Sequence, residues 1–276
     1  MLRLLDALKT RIPQKKKRKD CKKNKKCEET GINQKEQNTR KECRVMKSNE
    51  KERFLFDLCD RYDPQKYATN KNVLCKLAGD RSPFVRSLVA RVAAAYTDDF
   101  MHGILMRLAV DHNDLVRVEA ADSLSVYADE TAYQQLMHMA QDQYYLVRGY
   151  AVYGIGVIGN TDERRAKSFA FIQDRLPKEH RNFNRLSCYQ ALYFLGEEAE
   201  LQHMLRIYPK QNYRNQCYII NFLTEILSDD TRDTIMSFSE RELKRCKIDS
   251  VRESLMELLE CNKKQICPNT LDNMQE

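Results

Sequence analysis

The chain has 276 residues, enough to bury a substantial hydrophobic core, with 47 Lys and Arg against 40 Asp and Glu. No apolar run approaches the roughly eighteen residues needed to cross a bilayer, which argues against a transmembrane protein. The ten cysteines follow no disulfide framework, so we expect reduced thiols and a cytoplasmic location.

Basic charge is concentrated at the start of the chain. Residues 1–53 contain 19 Lys and Arg against 8 Asp and Glu, a balance of +11, which leaves −4 for the other 223 residues. Residues 1–12 have the spacing of a short amphipathic helix, and a Lys-rich run follows over residues 13–26. We expect residues 1–50 to form a basic, mostly disordered arm. Four roles remain open for this arm. It can be a solvated linker, contact nucleic acid, attach peripherally to an anionic membrane surface, or fold back onto the acidic solenoid.

One short sequence pattern occurs three times over residues 80–148. Each copy has an Asp, a short turn and then Val-Arg, and the copies start 31 residues apart at Asp80, Asp111 and Asp142. The arginines continue at intervals of 37, 29 and 38, and an apolar residue follows each one three places later. The six positions are Arg86, Arg117, Arg148, Arg185, Arg214 and Arg252. A fixed period of about thirty residues is typical of a solenoid of stacked units.

The segments between these arginines have helical periodicity. Residues 97–99, 129–131, 161–163 and 228–230 have the composition of helix N-caps. The sequence therefore predicts an all-α fold, an α-solenoid of about six helical hairpins over residues 51–262. Residues 263–276 are expected to fray.

The Asp-to-Val-Arg signature resembles that of HEAT-like repeat proteins, in particular those of the phycobilisome lyase type, over roughly residues 70–262. The resemblance implies a structural ladder of hydrogen bonds between repeats, formed by Asp80, Asp111 and Asp142 with Arg86, Arg117 and Arg148. Later copies have Glu179, Tyr208 and Cys246 in place of the Asp, and the ladder is expected to weaken there. The family includes scaffolds, lyases, hydroxylases and DNA glycosylases, so the resemblance implies no single activity.

No residue pattern for catalysis or metal binding stands out. None of the five histidines precedes a Glu, as a di-iron hydroxylase of this kind would require, and the absence of Trp disfavours a glycosylase. The cysteine pairs at 21 and 27 and at 261 and 267 are spaced too widely for an ordinary zinc site. Glycines 154, 156 and 159 are interpreted as allowing close helix packing. We therefore predict no catalytic residue, metal or cofactor.

A binding surface is the remaining possibility. The second helix of each hairpin is expected to line a concave face, with exposed positions two and five residues after each Arg. These positions predict a protein-binding or peptide-binding face at Glu119, Asp122, Tyr150, Tyr153, Ser187, Gln190 and Gln216. The alternative for the two tyrosines is packing between repeats. The favoured function is a non-enzymatic scaffold that binds a protein or peptide. The alternative is a nucleic-acid-binding protein of a glycosylase-like kind, in which the Lys-rich arm contributes to binding. A third hypothesis, that the chain is a lyase or chaperone for a tetrapyrrole, is supported by family analogy alone.

Overall fold

A computed structural model describes residues 46–266 of the chain, with side chains up to Asn262. This part of the chain contains fourteen α-helices and two short 3-10 helices, without a strand. The prediction of an all-α fold is confirmed, and the helical hairpins of each unit are those of an α-solenoid. Most of the predicted arm (residues 1–45) and of the tail (residues 267–276) lies outside the described residues. The first helix begins at Ser48 and the last ends at Ile266.

The described helices belong to two compact units, divided after residue 196. In the first unit, two helices precede four hairpins. In chain order the ten helices are α1 (Ser48–Asp60), α2 (Pro64–Thr69), α3 (Lys71–Leu77), α4 (Pro83–Ala95), α5 (Asp99–Leu108), α6 (Asp114–Leu124), α7 (Glu130–Met139), α8 (Tyr145–Ile158), α9 (Arg165–Arg175) and α10 (Asn182–Phe194). The first and second helices of each hairpin pack against one another, and α1, α4, α6, α8 and α10 pack side by side in that order.

The second unit contains two further helical pairs. They are α11 (Ala199–Ile207) with α12 (Tyr213–Glu225), and α13 (Asp229–Arg245) with α14 (Asp249–Ile266). A 3-10 turn over Tyr208–Lys210 connects α11 to α12, and α12 packs against α14. Buried side chains such as Ile219, Phe238 and Leu255 form the interior of this unit.

Side-chain caps explain where several of the helices begin. Ser82, Asp98 and Asp129 accept hydrogen bonds from the backbone N–H three residues later, and Asn113 accepts one from the N–H two residues later. These bonds satisfy amides that have no partner within a helix. Three of the four predicted caps are therefore confirmed, with Ser228 forming a capping box at α13. The prediction at residues 161–163 is wrong, because that segment forms a turn and α9 begins only at Arg165.

The repeat has one structural register in all the second helices. Arg86, Arg117, Arg148, Arg185 and Arg252 each occupy the fourth position of their helix, and the residue three places later is fully buried. In α12 the fourth position belongs to Gln216, whose equivalent buried residue is Ile219. The prediction that Arg214 and Cys217 continue the repeat is therefore wrong by two residues. With Gln216 in place of Arg214, the interval from Arg185 is again 31 residues.

Glycine allows the closest approach between second helices. A Cβ on Gly156 of α8 would lie 2.4 Å from the Cα of Ala191 in α10, and a Cβ on Gly149 would lie 2.3 Å from the ring of Phe183. The absence of a side chain at these two positions lets the backbone of α8 approach the backbone of α10 at Ala191 and the ring of Phe183. This close packing has a direct effect on the predicted binding face.

Candidate functional site: the turn edge of the third and fourth hairpins

A ladder of ion pairs connects the second helices of the first unit. Arg86 of α4 donates from Nε and Nη2 to the two carboxylate oxygens of Asp111, at 2.7 and 2.8 Å. Arg117 of α6 donates in the same way to Asp142, at 2.8 and 3.0 Å. All four side chains are largely buried. Two-point contacts of this kind fix the orientation of both groups as well as their separation.

The backbone and one further residue complete this ladder. Nη1 of each ladder arginine donates to the carbonyl of the turn Asp six residues before it, at 2.7 Å for Arg86 and 2.9 Å for Arg117. Lys51, the fourth residue of α1, contacts Asp80 at 2.7 Å and so occupies the place of an arginine. Burial alone would raise the pKa of Asp111, but the hydrogen bond from Arg86 and the backbone amide of Asn113 outweigh it and lower that pKa.

At the fourth hairpin the ladder changes composition. Arg148 donates to Glu179 at 3.2 and 3.4 Å, longer than in the earlier pairs, and Arg175 donates to the same carboxylate at 2.7 and 2.9 Å. Burial opposes ionisation of Glu179, but the two arginines hold its pKa below the ordinary value. Glu179 thus keeps the carboxylate of the ladder and gains a second cationic partner, which the repeat pattern did not reveal.

A groove of about 440 Å³ opens beside this triad. We call it the Arg175 groove. Its lining residues come from the loop after α7, the first turn of α8, the second half of α9, and the 3-10 turn over Leu176–Lys178 with the residue that follows it. They are Gln141, Arg148, Phe171, Asp174, Arg175, Lys178 and Glu179. Its volume lies in the range of sites that bind small molecules or peptide side chains.

The predicted binding positions are mostly inside the protein. Glu119, Tyr153, Ser187 and Gln190 are at most 4% exposed, so the prediction that they are exposed is wrong. Asp122, Tyr150 and Gln216 are half-buried. The physical reason is that second helices pack directly side by side, so positions two and five after the ladder residue point into the seams between helices.

Contacts within these seams show the same effect. Glu119 of α6 forms a buried ion pair with Arg91 of α4, with 2.9 Å between Nε and Oε1. Tyr153 packs edge-on against Phe194, with 5.7 Å between ring centroids, which favours the alternative of packing between repeats. Ser187 is fully buried and donates within its own helix to the carbonyl of Phe183. Gln216 lies in the second unit and donates to the carbonyl of Tyr208 at 3.4 Å.

Aromatic side chains gather instead where α8 and α10 begin. We call Tyr144, Tyr145, Tyr150, Phe183 and Arg181 the Tyr145 cluster. Successive ring centroids lie 5.4, 6.4 and 5.5 Å apart, and the guanidinium of Arg181 lies 5.3 Å from the centroid of the Tyr145 ring. The four rings are half-buried and Arg181 is exposed. Burial raises the pKa of Tyr144, so its hydroxyl stays protonated at neutral pH.

The two helices that carry this cluster begin without a side-chain cap. The N-cap residues of α8 and α10 are Tyr144 and Arg181, whereas Ser82, Asn113 and Asn212 cap α4, α6 and α12. Replacing a good cap by a residue that cannot accept this bond costs about 1 kcal/mol. Departures from local rules of this kind concentrate at functional sites. The sequence contains this signal, since Tyr144 aligns with Ser82 and Asn113 at intervals of 31 residues.

Metal chemistry and membrane crossing find no support in the described region. Within residues 46–266, no three His, Cys, Asp or Glu side chains converge as metal ligands would. None of the helices in that range combines the length and hydrophobicity required to cross a membrane.

Comparison with known proteins agrees with the repeated helices. A family model for HEAT repeats matches residues 72–156, the segment from α3 to α8 in which the copies are most regular. No curated protein matches the sequence. The match extends over the first three hairpins and does not identify the phycobilisome lyase-type subgroup. Together, the match and the stacked helical hairpins support a HEAT-like repeat protein.

Proposed function

We propose that this chain is a non-enzymatic scaffold that binds a protein or peptide at the Tyr145 cluster. The single observation that carries the proposal is that α8 and α10 begin with Tyr144 and Arg181, whereas α4, α6 and α12 begin with side chains that cap the helix. These substitutions sacrifice local stability and place half-exposed rings and a guanidinium side by side. Tyr and Arg are enriched among the residues that dominate protein interfaces, because each combines a large apolar surface with hydrogen-bond donors.

The proposed binding surface lies where α8 and α10 begin, and not in the seams between second helices where the sequence predicted it. Among the predicted positions, Tyr150 is the one that belongs to the cluster, through its contact with Phe183. Glu119, Ser187 and Gln190 are buried and serve packing instead. HEAT repeats commonly act as scaffolds for protein interactions, and the family match supports a role of that general kind.

Peptide display against the full chain tests the proposal. Peptides selected on the unaltered protein should lose at least tenfold in affinity for Tyr145→Ser and for Tyr144→Asn, on the order of one hot-spot contact. Tyr144→Asn is informative because it restores an N-cap while removing a ring, so the stability of the fold should change little. Tyr62→Ser is the matched control, since Tyr62 is an exposed aromatic residue elsewhere in the same unit. Equal binding by all three variants would refute the proposed surface.

Nucleic-acid or membrane binding by residues 13–26 is retained as a second proposal, supported by the charge balance of the first 53 residues. These residues lie outside the described part of the chain. Substituting Lys15, Lys16, Lys17 and Lys19 by Gln in the full chain should abolish binding to single-stranded DNA or anionic vesicles and its salt dependence. Binding that survives the substitution would place the contact elsewhere.

The lyase-type role is the remaining proposal, and it is supported only by the sequence resemblance. An absorbance titration of the full chain with a linear tetrapyrrole tests it, because binding would shift the spectrum of the pigment. An unchanged spectrum would remove this role.

A further inference from the structure

The Arg175 groove differs in charge from the other junctions of the ladder. In the junction between the second and third hairpins, Arg117 contacts two carboxylates, those of Asp142 and Asp114. In the junction beside the groove, one carboxylate, Glu179, is shared by two guanidinium groups. The first arrangement has one more negative than positive charge, and the second has one more positive than negative charge. An excess cation is thus placed at a partly buried position, where charge is weakly screened.

The hydrogen-bond donors of this triad are not fully used. Arg148 donates from Nε and Nη2 to Glu179, and from Nη1 to the carbonyls of residues 142 and 143. Arg175 donates from Nε and Nη2 to a single oxygen of Glu179, and its Nη1 has no acceptor among residues 46–266. A planar guanidinium is well suited to hold a carboxylate or phosphate through its remaining N–H groups.

The rest of the groove suits an acidic side chain with an apolar stem. Phe171 provides a half-buried aromatic wall. Lys178 stands at the rim with two-thirds of its side chain exposed, paired to Asp174 at 2.6 Å. An exposed ion pair of this type is worth at most about 1 kcal/mol, so the ammonium can exchange partners at little cost.

The groove and the Tyr145 cluster share two short stretches of chain. Arg148 is one helical turn after Tyr145 in α8, and Glu179 precedes Arg181 by two residues. Residues three or four positions apart lie on the same side of a helix, so a segment bound across the rings can extend toward the groove.

We propose that the Arg175 groove binds the carboxylate or phosphate group of an acidic peptide segment. This inference rests on the proposed function and specifies the chemistry of the partner. Arg175 and Lys178 supply the cationic donors, Phe171 packs against the stem of the bound side chain, and Arg148 with Glu179 holds Arg175 in place.

Fluorescence anisotropy on the full chain tests the groove directly. The probes are fluorescein-labelled hexapeptides that alternate Tyr with Glu, phosphotyrosine with Gln, or Tyr with Gln, together with a six-nucleotide single-stranded DNA. One or both acidic peptides should bind about tenfold more tightly than the neutral peptide, as expected for one charge-assisted contact. The comparison of the two acidic peptides identifies carboxylate or phosphate as the preferred group.

Two variants and a control make the result specific. Lys178→Glu and Arg175→Gln should remove the preference for the acidic peptides. Arg165→Glu should retain it, because Arg165 is an exposed cation at the opposite end of α9. Lys178→Glu changes an exposed residue and keeps the test valid if Arg175→Gln destabilises the fold.

Several outcomes would overturn the inference. They are equal affinity for acidic and neutral peptides, an equal loss of preference in Arg165→Glu, and failure of every acidic peptide to bind the unaltered chain. Binding of the DNA that depends on Lys178, without binding of either acidic peptide, would assign the groove to nucleic acid instead. The proposed function is tested separately by the response of displayed peptides to Tyr145→Ser, so failure of the groove can be distinguished from failure of the proposed function.

Discussion

Replacement of Asn184 by Val should stabilise the protein. Asn184 is the third residue of α10, and it is 1% exposed. Neither its amide nitrogen nor its amide oxygen has a hydrogen-bond partner within the described part of the chain. The equivalent third position is a fully buried Val in four other second helices, at Val85, Val116, Val147 and Val251. The repeat itself therefore shows which side chain this position accepts.

The expected gain follows from the environment of the amide. A buried polar group without a partner costs about 1–3 kcal/mol, and an apolar side chain of similar size removes this cost. Asn and Val have similar helix propensities, so the backbone term nearly cancels. We expect Asn184→Val to increase the free energy of unfolding by about 1–3 kcal/mol.

The matched control is Asn215→Val in α12. Asn215 occupies the same third position and is also buried, but its amide nitrogen donates to Gln211 at 3.1 Å. Its replacement removes that bond and leaves the oxygen of Gln211 without this donor, so the gain should be much smaller or absent.

Urea denaturation followed by circular dichroism at 222 nm measures the change, provided the slope of the transition stays constant. Hydrogen exchange of the α10 amides shows whether the effect is local to that helix. A lower stability of Asn184→Val, or the same change in both variants, would refute the reasoning, because it would mean that the amide of Asn184 is satisfied in solution.

Three further predictions concern the packing and the ladder. Gly156→Ala should lower the free energy of unfolding by about 1–3 kcal/mol, because the added Cβ would lie 2.4 Å from a backbone atom of α10. Gly103→Ala should raise it by about 0.5–1 kcal/mol, because a Cβ there meets nothing within 4 Å. Equal urea midpoints for the two variants would contradict this prediction. Asp142→Asn should cost about 2–4 kcal/mol because it leaves Arg117 without its main carboxylate, whereas the exposed Asp174→Asn should change stability by less than about 1 kcal/mol in the same assay. The pKa of Asp142 is lowered, since hydrogen bonds from Arg117 and a backbone amide outweigh the effect of burial, so the unfolded chain binds protons first as the pH falls. Stability that is complete above about pH 5 should therefore decrease as the pH falls through about 4 and below, and Asp142→Asn should flatten this profile in acid titrations followed by circular dichroism.

The repeat period was readable from the sequence because it reflects local chemistry. The turn Asp, the capping residues at 98 and 129, and the buried apolar residue three places after each Arg are determined by the helix that contains them. The same reasoning failed at Arg214, where a nearby arginine imitated the pattern. Only the start of α12 and the burial of Ile219 show that Gln216 occupies that position.

Four of the seven positions predicted for the binding face are buried, because exposure depends on neighbouring helices. Spacing along each second helix predicted exposed positions two and five residues after the Arg, such as Glu119 and Tyr153, and it contained no information on how closely the next helix packs. The pairing of Glu119 with Arg91 closes that face. Likewise, Arg175 and Glu179 stand apart from the Val-Arg motif, so their shared contact was not apparent before folding.

The sequence by itself therefore determined the all-α class, the hairpin repeat and most helix starts, since these depend on side chains within about one helical turn. Tertiary structure decided which side chains remain accessible, how Glu179 came to hold two arginines, and where the Tyr145 cluster and the Arg175 groove meet. The physical reason is distance along the chain. Those features join residues of different hairpins, as in the contacts of Glu179 with Arg148 and of Tyr145 with Phe183, which no local rule encodes.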